Sequence, residues 1–546
     1  MVAWEAPGPG YWELDRSHFV GGATPLIQHI QTRSMPAGMR KVFAELGTPA
    51  DTLDCAFVNG FFYTRLRPLV GADRPVKKLP HALVLRAVSR LHPEFRRRTK
   101  AAVKVRAERP WRKIIADWEN GGRARIESRN LAFQKVSLGE LDDATLIEHV
   151  SELLEHCCAS WEHHFWLHGY DLGPIGMYLA DCREWGIEPA DAIPLLEGAS
   201  PSTSEPTRVA AHLRSAVVTS GRSPTSLDDV RAISTEVADD LDRYLEYRGA
   251  IMVSRYDLDG VTLAEMPDVV LSTILHGVER PVADGLQHRI ELIRSRLPVA
   301  HQIDFDHRLE EARSAMNLRD DNGPTTAEWP LGLLRLALLE VGRRMVAGGF
   351  ASQPADALEL HPAEISVAAV TGGGPTSSEL GRRRVRRYEL AELEAPMSLG
   401  EPEPAPPLDL LPKPLAELVQ MVQLVIEQLG MSGDRPMSGL VGVGVGDRIF
   451  RGRACRADSP EQAIDRLRPG DVLVVPCTTP AYNSVLTLAG AVVTADGGPL
   501  SHAAVLAREL GIPAVVGARG ALTELPDGAL IDVDPVAGVV RIVAEP

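Results

Sequence analysis

Chemistry concentrates around one histidine in the segment Gly497-Gly498-Pro499-Leu500-Ser501-His502-Ala503-Ala504-Val505-Leu506-Ala507-Arg508-Glu509-Leu510-Gly511-Ile512-Pro513. Ala503 to Leu510 is rich in strong helix formers, and Gly511 and Pro513 supply its stop. Ser501 is placed to N-cap that helix, which puts His502 in the first turn. Unsatisfied backbone N–H groups and the positive end of the helix dipole would face an anion there. The same field disfavours imidazolium and keeps a neutral ring able to attack phosphorus. Gly497 and Gly498 lack a Cβ, so phosphates could approach their backbone closely; with Ser501 they are the expected orienting groups. A phosphoryl group on ring nitrogen is reactive enough to pass to a hydroxyl, leaving the protein to position it and balance charge.

Arg319 is the expected charge-stabilising residue, since arginine can hold a phosphoryl group through two parallel hydrogen bonds. Asp320 or Asp321 beside it would take an acceptor's proton as general base; the structural alternative is a capping or surface Arg–Asp pair. His156, His163, His164 and His168 form a second cluster. His164 and His168 share a helix face, but no third ligand follows at zinc spacing, so no metal site is expected. His163 or His164 would instead serve at an acceptor hydroxyl, and Phe62 with its aromatic neighbours would line an apolar acceptor pocket; plain packing is the competing account. Arg508, two turns beyond His502, is expected at solvent or on a carboxylate.

The elements that must position these groups fall into three segments. Residues 1–370 read as mainly helical, with three- and four-residue apolar spacing in Ala144 to Ser160, Ser226 to Tyr247, Asp284 to Leu297 and Leu331 to Gly348. Residues 371–437 read as a proline-rich linker carrying one helix, Pro414 to Gly430. Residues 438–546 alternate short Val-rich runs with single helices, an α/β pattern. Gly442 to Gly446 lacks the spacing of a dinucleotide loop, and Thr371 to Pro375 lacks the ending of a phosphate loop. The basic run Arg382 to Arg387 is expected to be a solvated helix face.

A chain of 546 residues needs several folding units. Its formal charge of −15 argues against nucleic acid or an anionic membrane as partner. No apolar run is long enough to span a bilayer and no signal peptide opens the chain, so a cytoplasmic location is expected. The six cysteines lack metal spacing and are expected as buried thiols.

The histidine segment resembles the phosphohistidine swivelling domain of the phosphoenolpyruvate-utilising enzymes. The likeness extends back through Gly470 to Val475, Thr478-Thr479-Pro480 and Gly490 to Thr494. Leu500 stands where the pyruvate-type enzymes tend to have Thr, which leans toward the rifampicin phosphotransferase branch. In that branch's order come Tyr11 to Asp15, Thr24 to Leu26, Val58 to Tyr63, Trp161 to Phe165, Leu195 to Gly198, Met316 to Asn322 and Glu340 to Arg344. The resemblance implies a multidomain α and α/β protein: a large helical N-terminal acceptor domain and a small C-terminal β/β/α swivelling domain.

It also implies a phosphotransferase-type activity. A phosphoryl group on His502 would pass to a small hydroxylated substrate in the helical domain. No ATP-grasp phosphate loop precedes residue 371, so ATP and Mg (or phosphoenolpyruvate) are expected on another chain, a separate ATP-grasp polypeptide. Apart from phosphoryl on His502, no bound cofactor is expected. Two alternatives belong to other classes: a lyase or cyclase that uses the helical pocket without phosphohistidine, and a binding protein that has lost the chemistry.

Overall fold

The computed structural model describes all residues except 1, 16–17, 20, 73, 75–77, 278–284, 431–438, 479–481 and 545–546. Thr479 and Pro480 of the expected ligand-side loop, and Asp284 and Ser438 at expected boundaries, lie outside the described residues. The chain is a large helical portion followed by a small C-terminal mixed-sheet domain. Its compact units cut across the three sequence segments. One unit holds 1–170, 255–260 and 325–420; the other holds 171–254, 261–324 and 421–546.

The first unit is helical around a four-stranded antiparallel sheet of β1 (Trp12–Leu14), β2 (Ala50–Val58), β3 (Phe61–Pro68) and β4 (Ser398–Leu399), in the order β2-β3-β1-β4. The hairpin between β2 and β3 turns on Asn59 and Gly60, both left-handed at φ 53° and 80°. That is the backbone a two-residue Asn-Gly turn favours. The helical expectation for 1–370 passed over this hairpin.

Helix Ser377–Ala391, placed by sequence in the linker, is tied into the same unit. Arg387 donates to Asp259, to Glu359 and to the carbonyl of Gly22, all buried or nearly so. Arg383 pairs with Glu364, and Arg384 with Asp356. Arg383, Arg384 and Arg387 of the basic run therefore form an ion-pair seam, while Arg382 and Arg386 stay exposed. Five cysteines (55, 157, 158, 182 and 455) are buried thiols.

The second unit combines helices Pro201–Ser220, Thr235–Arg248, Pro267–His276 and Val299–Asn322 with a seven-stranded sheet. The helix expected over Ser226 to Tyr247 is two, Leu227–Arg231 and Thr235–Arg248, because the Ser234 side chain caps Val237 N and starts a new helix. The sheet comprises β5 (Val443–Val445), β6 (Phe450–Arg456), β7 (Val472–Val475), β8 (Ala491–Thr494), β9 (Ala514–Val516), β10 (Leu530–Asp534) and β11 (Val539–Ala544). Its order is β11-β10-β6-β7-β8-β9-β5; β6 to β9 run parallel, and the other strands pair antiparallel.

Both faces are covered, which explains the continuous apolar runs. Leu473, Val475 and Val492 pack on one side with Ala503, Ala504, Leu506 and Ala507 of helix His502–Glu509. Val472, Val474, Ala491 and Val493 pack on the other with Ile531 and Val533. Among the described residues no helix is long and apolar enough to cross a membrane.

Candidate functional site

His502 is the first residue of its helix, and the Ser501 hydroxyl accepts from Ala504 N at 3.4 Å as its cap. The buried alanines and leucine of the helix fix its face against the sheet, so the ring's direction is set by the core beneath it. His502 Nδ1 lies 2.9 Å from Thr478 Oγ1, on the loop after β7. Thr478 was read only as part of a ligand-side loop; the structure makes it the ring's partner. Burial, and secondly the charge of Arg319, push the imidazole down to about 3, so the ring is neutral at physiological pH.

Arg319 comes from the last turn of helix Val299–Asn322. Its Nη2 donates to Leu500 O at 2.7 Å, one residue before the cap. Its Nη1 is buried without a hydrogen-bond partner. A cation with an unsatisfied buried donor beside a neutral histidine is an arrangement that an incoming anion would complete. Leu500 is itself fully buried and donates its N–H to Gln428 O at 2.9 Å.

Asp320 stands close enough to raise the carboxyl of Glu509. Glu509 is buried, accepts from Gly198 N at 3.0 Å, and is pushed by burial up to about 7. Arg508 was expected at solvent or on a carboxylate. Instead its Nη1 donates to Pro499 O at 2.6 Å, in the histidine loop itself. Burial pushes it down to about 10, against the pull of Glu197 and Glu509. A helical period of seven already puts 502 and 509 on one face, which was the available signal for Glu509.

The two glycines also have a structural reason. A Cβ on Gly498 would lie 2.4 Å from Gln428 O and 2.8 Å from Gly430 N. Gly497 has φ +120°, and its backbone abuts Gly430 and Gly517. Close backbone packing demands glycine at 498, and the left-handed backbone favours it at 497.

His163, His164 and Phe62 belong to the other unit. His163 stacks on Trp166 at 5.2 Å, and burial pushes it down to about 4. His164 Nδ1 lies 3.2 Å from Thr326 Oγ1, and its Nε2 lies 3.1 Å from His168 Nε2. Phe62 is buried against Phe19 and Phe57, each at 4.9 Å, as core. His156 is likewise packed, on Phe133 and on Asn130 Oδ1. Among the described residues no group of three or more His, Cys, Asp or Glu side chains is arranged to hold a metal ion.

Residues 467–538 match the family model of the PEP-utilising enzyme mobile domain. Nearly the whole chain, 99%, aligns at 26% identity with 14% of chondramide synthase from Chondromyces crocatus. The uncharacterised phosphotransferase YvkC of Bacillus subtilis is 30% identical over 44% of this chain and 27% of its own length. Phosphoenolpyruvate synthase of Aeropyrum pernix is 44% identical over 18% of this chain and 12% of its own. The chain spans less than a third of the length of the curated relatives it matches. It carries a phosphotransferase-type mobile domain of the phosphoenolpyruvate-utilising enzymes.

Proposed function

We propose that this chain is a cytoplasmic phosphotransferase component that carries a phosphoryl group on His502 and delivers it to a hydroxylated small molecule bound by the helical portion. The observation that carries the reading is the neutral His502 ring, held through Nδ1 on Thr478, beside the unpartnered Nη1 of Arg319. With Nδ1 engaged, Nε2 is the nitrogen left to attack. It forms the N–P bond as the donor's P–O bond breaks, and the leaving oxygen takes the electron pair. In the second step the acceptor oxygen attacks phosphorus, the N–P bond breaks toward Nε2, and Asp320 takes the hydroxyl proton. Arg319 neutralises charge in both steps.

The donor, ATP with its Mg or phosphoenolpyruvate, is assigned to a separate ATP-grasp polypeptide. The part of the linker segment beyond Ala391 is the proposed tether for movement between donor and acceptor. The match to a synthase over 99% of the chain favours a second reading of the outcome. A phosphorylated hydroxyl is a leaving group, so the overall reaction would be a dehydration or condensation.

The test is phosphoryl transfer to purified wild type and His502→Ala from β-labelled ATP, γ-labelled ATP or phosphoenolpyruvate, each with and without host extract. Acid-labile, base-stable label on wild type alone supports the carrier. Label that requires extract supports a donor site elsewhere. No label under any condition, with the extract competent on a control carrier, refutes the reading.

A further inference from the structure

Helix Ala82–Leu91 turns its apolar residues outward. Its buried side chain is Ser89, which donates to Leu410 O at 2.9 Å, and Leu85 and Val88 are half-buried beside it. The opposite face holds Val84, Ala87 and Leu91 at three- and four-residue spacing, with Leu83 alongside. Leu83, Val84 and Leu91 are 67%, 50% and 73% exposed. One exposed leucine is ordinary, but a stripe along one face is how a helix packs against another helix. Ala87 between the larger side chains leaves room for a partner to come close.

The charge around the stripe is basic. Residues 82–113 hold eleven Lys and Arg against two Glu, in a chain whose formal charge is −15. Arg86 and Arg90 are exposed on the stripe's own helix. Helix Pro93–Glu108 follows directly through His92, which caps both helices, and exposes Arg96, Lys100 and Lys104. Carboxylates of the chain itself already answer this charge: Arg106 pairs with Glu417 at 2.7 Å, and Arg86 faces Asp409 at 3.8 Å.

We propose that helix Ala82–Leu91 is a docking helix for an acidic amphipathic helix of another protein. The partner's apolar side covers Leu83, Val84, Ala87 and Leu91, and its carboxylates meet Arg90 and the cations of the following helix. Nucleic acid would match the charge and leave the apolar stripe uncovered. An anionic bilayer would cover the stripe but bring an extended negative surface toward an acidic molecule. A helix meets the basic patch alone. The docking face is separate from the histidine chemistry and stands or falls without it.

The test uses the full chain and a labelled synthetic helix of leucine and glutamate, with its leucines three and four residues apart. The controls are a peptide of the same composition with its leucines spread around the helix, the first peptide with glutamine for glutamate, phosphatidylserine–phosphatidylcholine vesicles, and oligouridylate. The patterned peptide should bind at least about tenfold more tightly than the scrambled one. Salt should weaken the glutamate peptide and not the glutamine one. Leu83→Glu/Leu91→Glu should lose at least about tenfold in affinity. Leu83→Ala/Leu91→Ala adds no charge and keeps a good helix former, so it should weaken binding with an unchanged urea transition. Equal affinity for the scrambled peptide, no loss in either double variant, tighter binding of vesicles or oligouridylate than of the patterned peptide, or no binding of that peptide overturns the proposal.

Discussion

On the proposed carrier reading, two hydrogen bonds decide which atom of His502 reacts and what meets the arriving charge. The Thr478 bond is neutral, and such a bond contributes about 1 kcal/mol. Thr478→Val should therefore slow label incorporation about five- to tenfold, and Thr478→Ser should restore it; equal rates in all three would remove Thr478 from the site. Arg319 presents two demands at once, the Leu500 carbonyl and the free Nη1. Lysine keeps the charge but lacks the fork. Arg319→Lys should lose a factor on the order of 10² in transfer, the cost of one donor at a developing charge. Full activity in the lysine variant would show that charge alone suffices. The pH profile belongs to this scale as well. A histidine of ordinary pKa would be about 97% protonated at pH 5. His502 is held near 3, so its neutral fraction should persist, and loading should show no acid limb from this ring between pH 8 and 5. Because Arg319 is the second cause of that depression, Arg319→Gln should move the limb upward. A limb near pH 6.5 in wild type would mean that the ring meets water during loading.

At the scale of elements, one well-buried charge outside the site is Arg387, between Asp259 and Glu359. Removing one partner of a buried ion network strands the others, at a cost of about 3–5 kcal/mol. Arg387→Ala should lower the stability of the first unit by that amount, read as an earlier urea transition of tryptophan fluorescence; a shift below about 1 kcal/mol would show that water takes its place. This helix was placed in a linker from sequence because a basic run beside prolines carries no trace of its partners, which lie from 19 to 365 residues away. The histidine helix was legible for the opposite reason. Ser501 as cap, an alanine- and leucine-rich body and Gly511 as stop are local signals, and local chemistry settles them. The Val-rich strands were legible for a similar reason, since burial on both faces writes itself into the run Val472 to Val475. The β2–β3 hairpin was also written locally, in Asn59-Gly60, and was passed over because the surrounding periodicity is helical. Gly498 shows the limit. Its glycine is required by Gln428 and Gly430, and no spacing within its own loop predicts that neighbour.

At the scale of the molecule, the chain passes between its compact units at 170/171, 254/255, 260/261, 324/325 and 420/421. Such threading would couple the folding of the helical segments, since neither unit is one continuous stretch. The C-terminal sheet is the exception. Its two cores draw only on residues between 440 and 540, one on each face. A segment with its own two-sided core needs no help from distant chain to exclude water. The fragment 439–546 should therefore fold alone, with a cooperative urea transition and dispersed amide resonances. What it lacks is the seat of the histidine loop and helix, since Gln428, Gly198 and Arg319 all lie outside it. His502 in the fragment should keep its Thr478 bond but titrate higher than in the whole protein, because both causes of its depression, burial and Arg319, are reduced. The carbon-bound ring protons of His502, followed by NMR against pH, measure that directly. A fragment that folds with His502 still near 3 would place the depression inside the small domain and leave the helical portion no part in tuning the ring. An unfolded fragment would mean that the sheet depends on its seat, which contradicts the proposed movement between donor and acceptor.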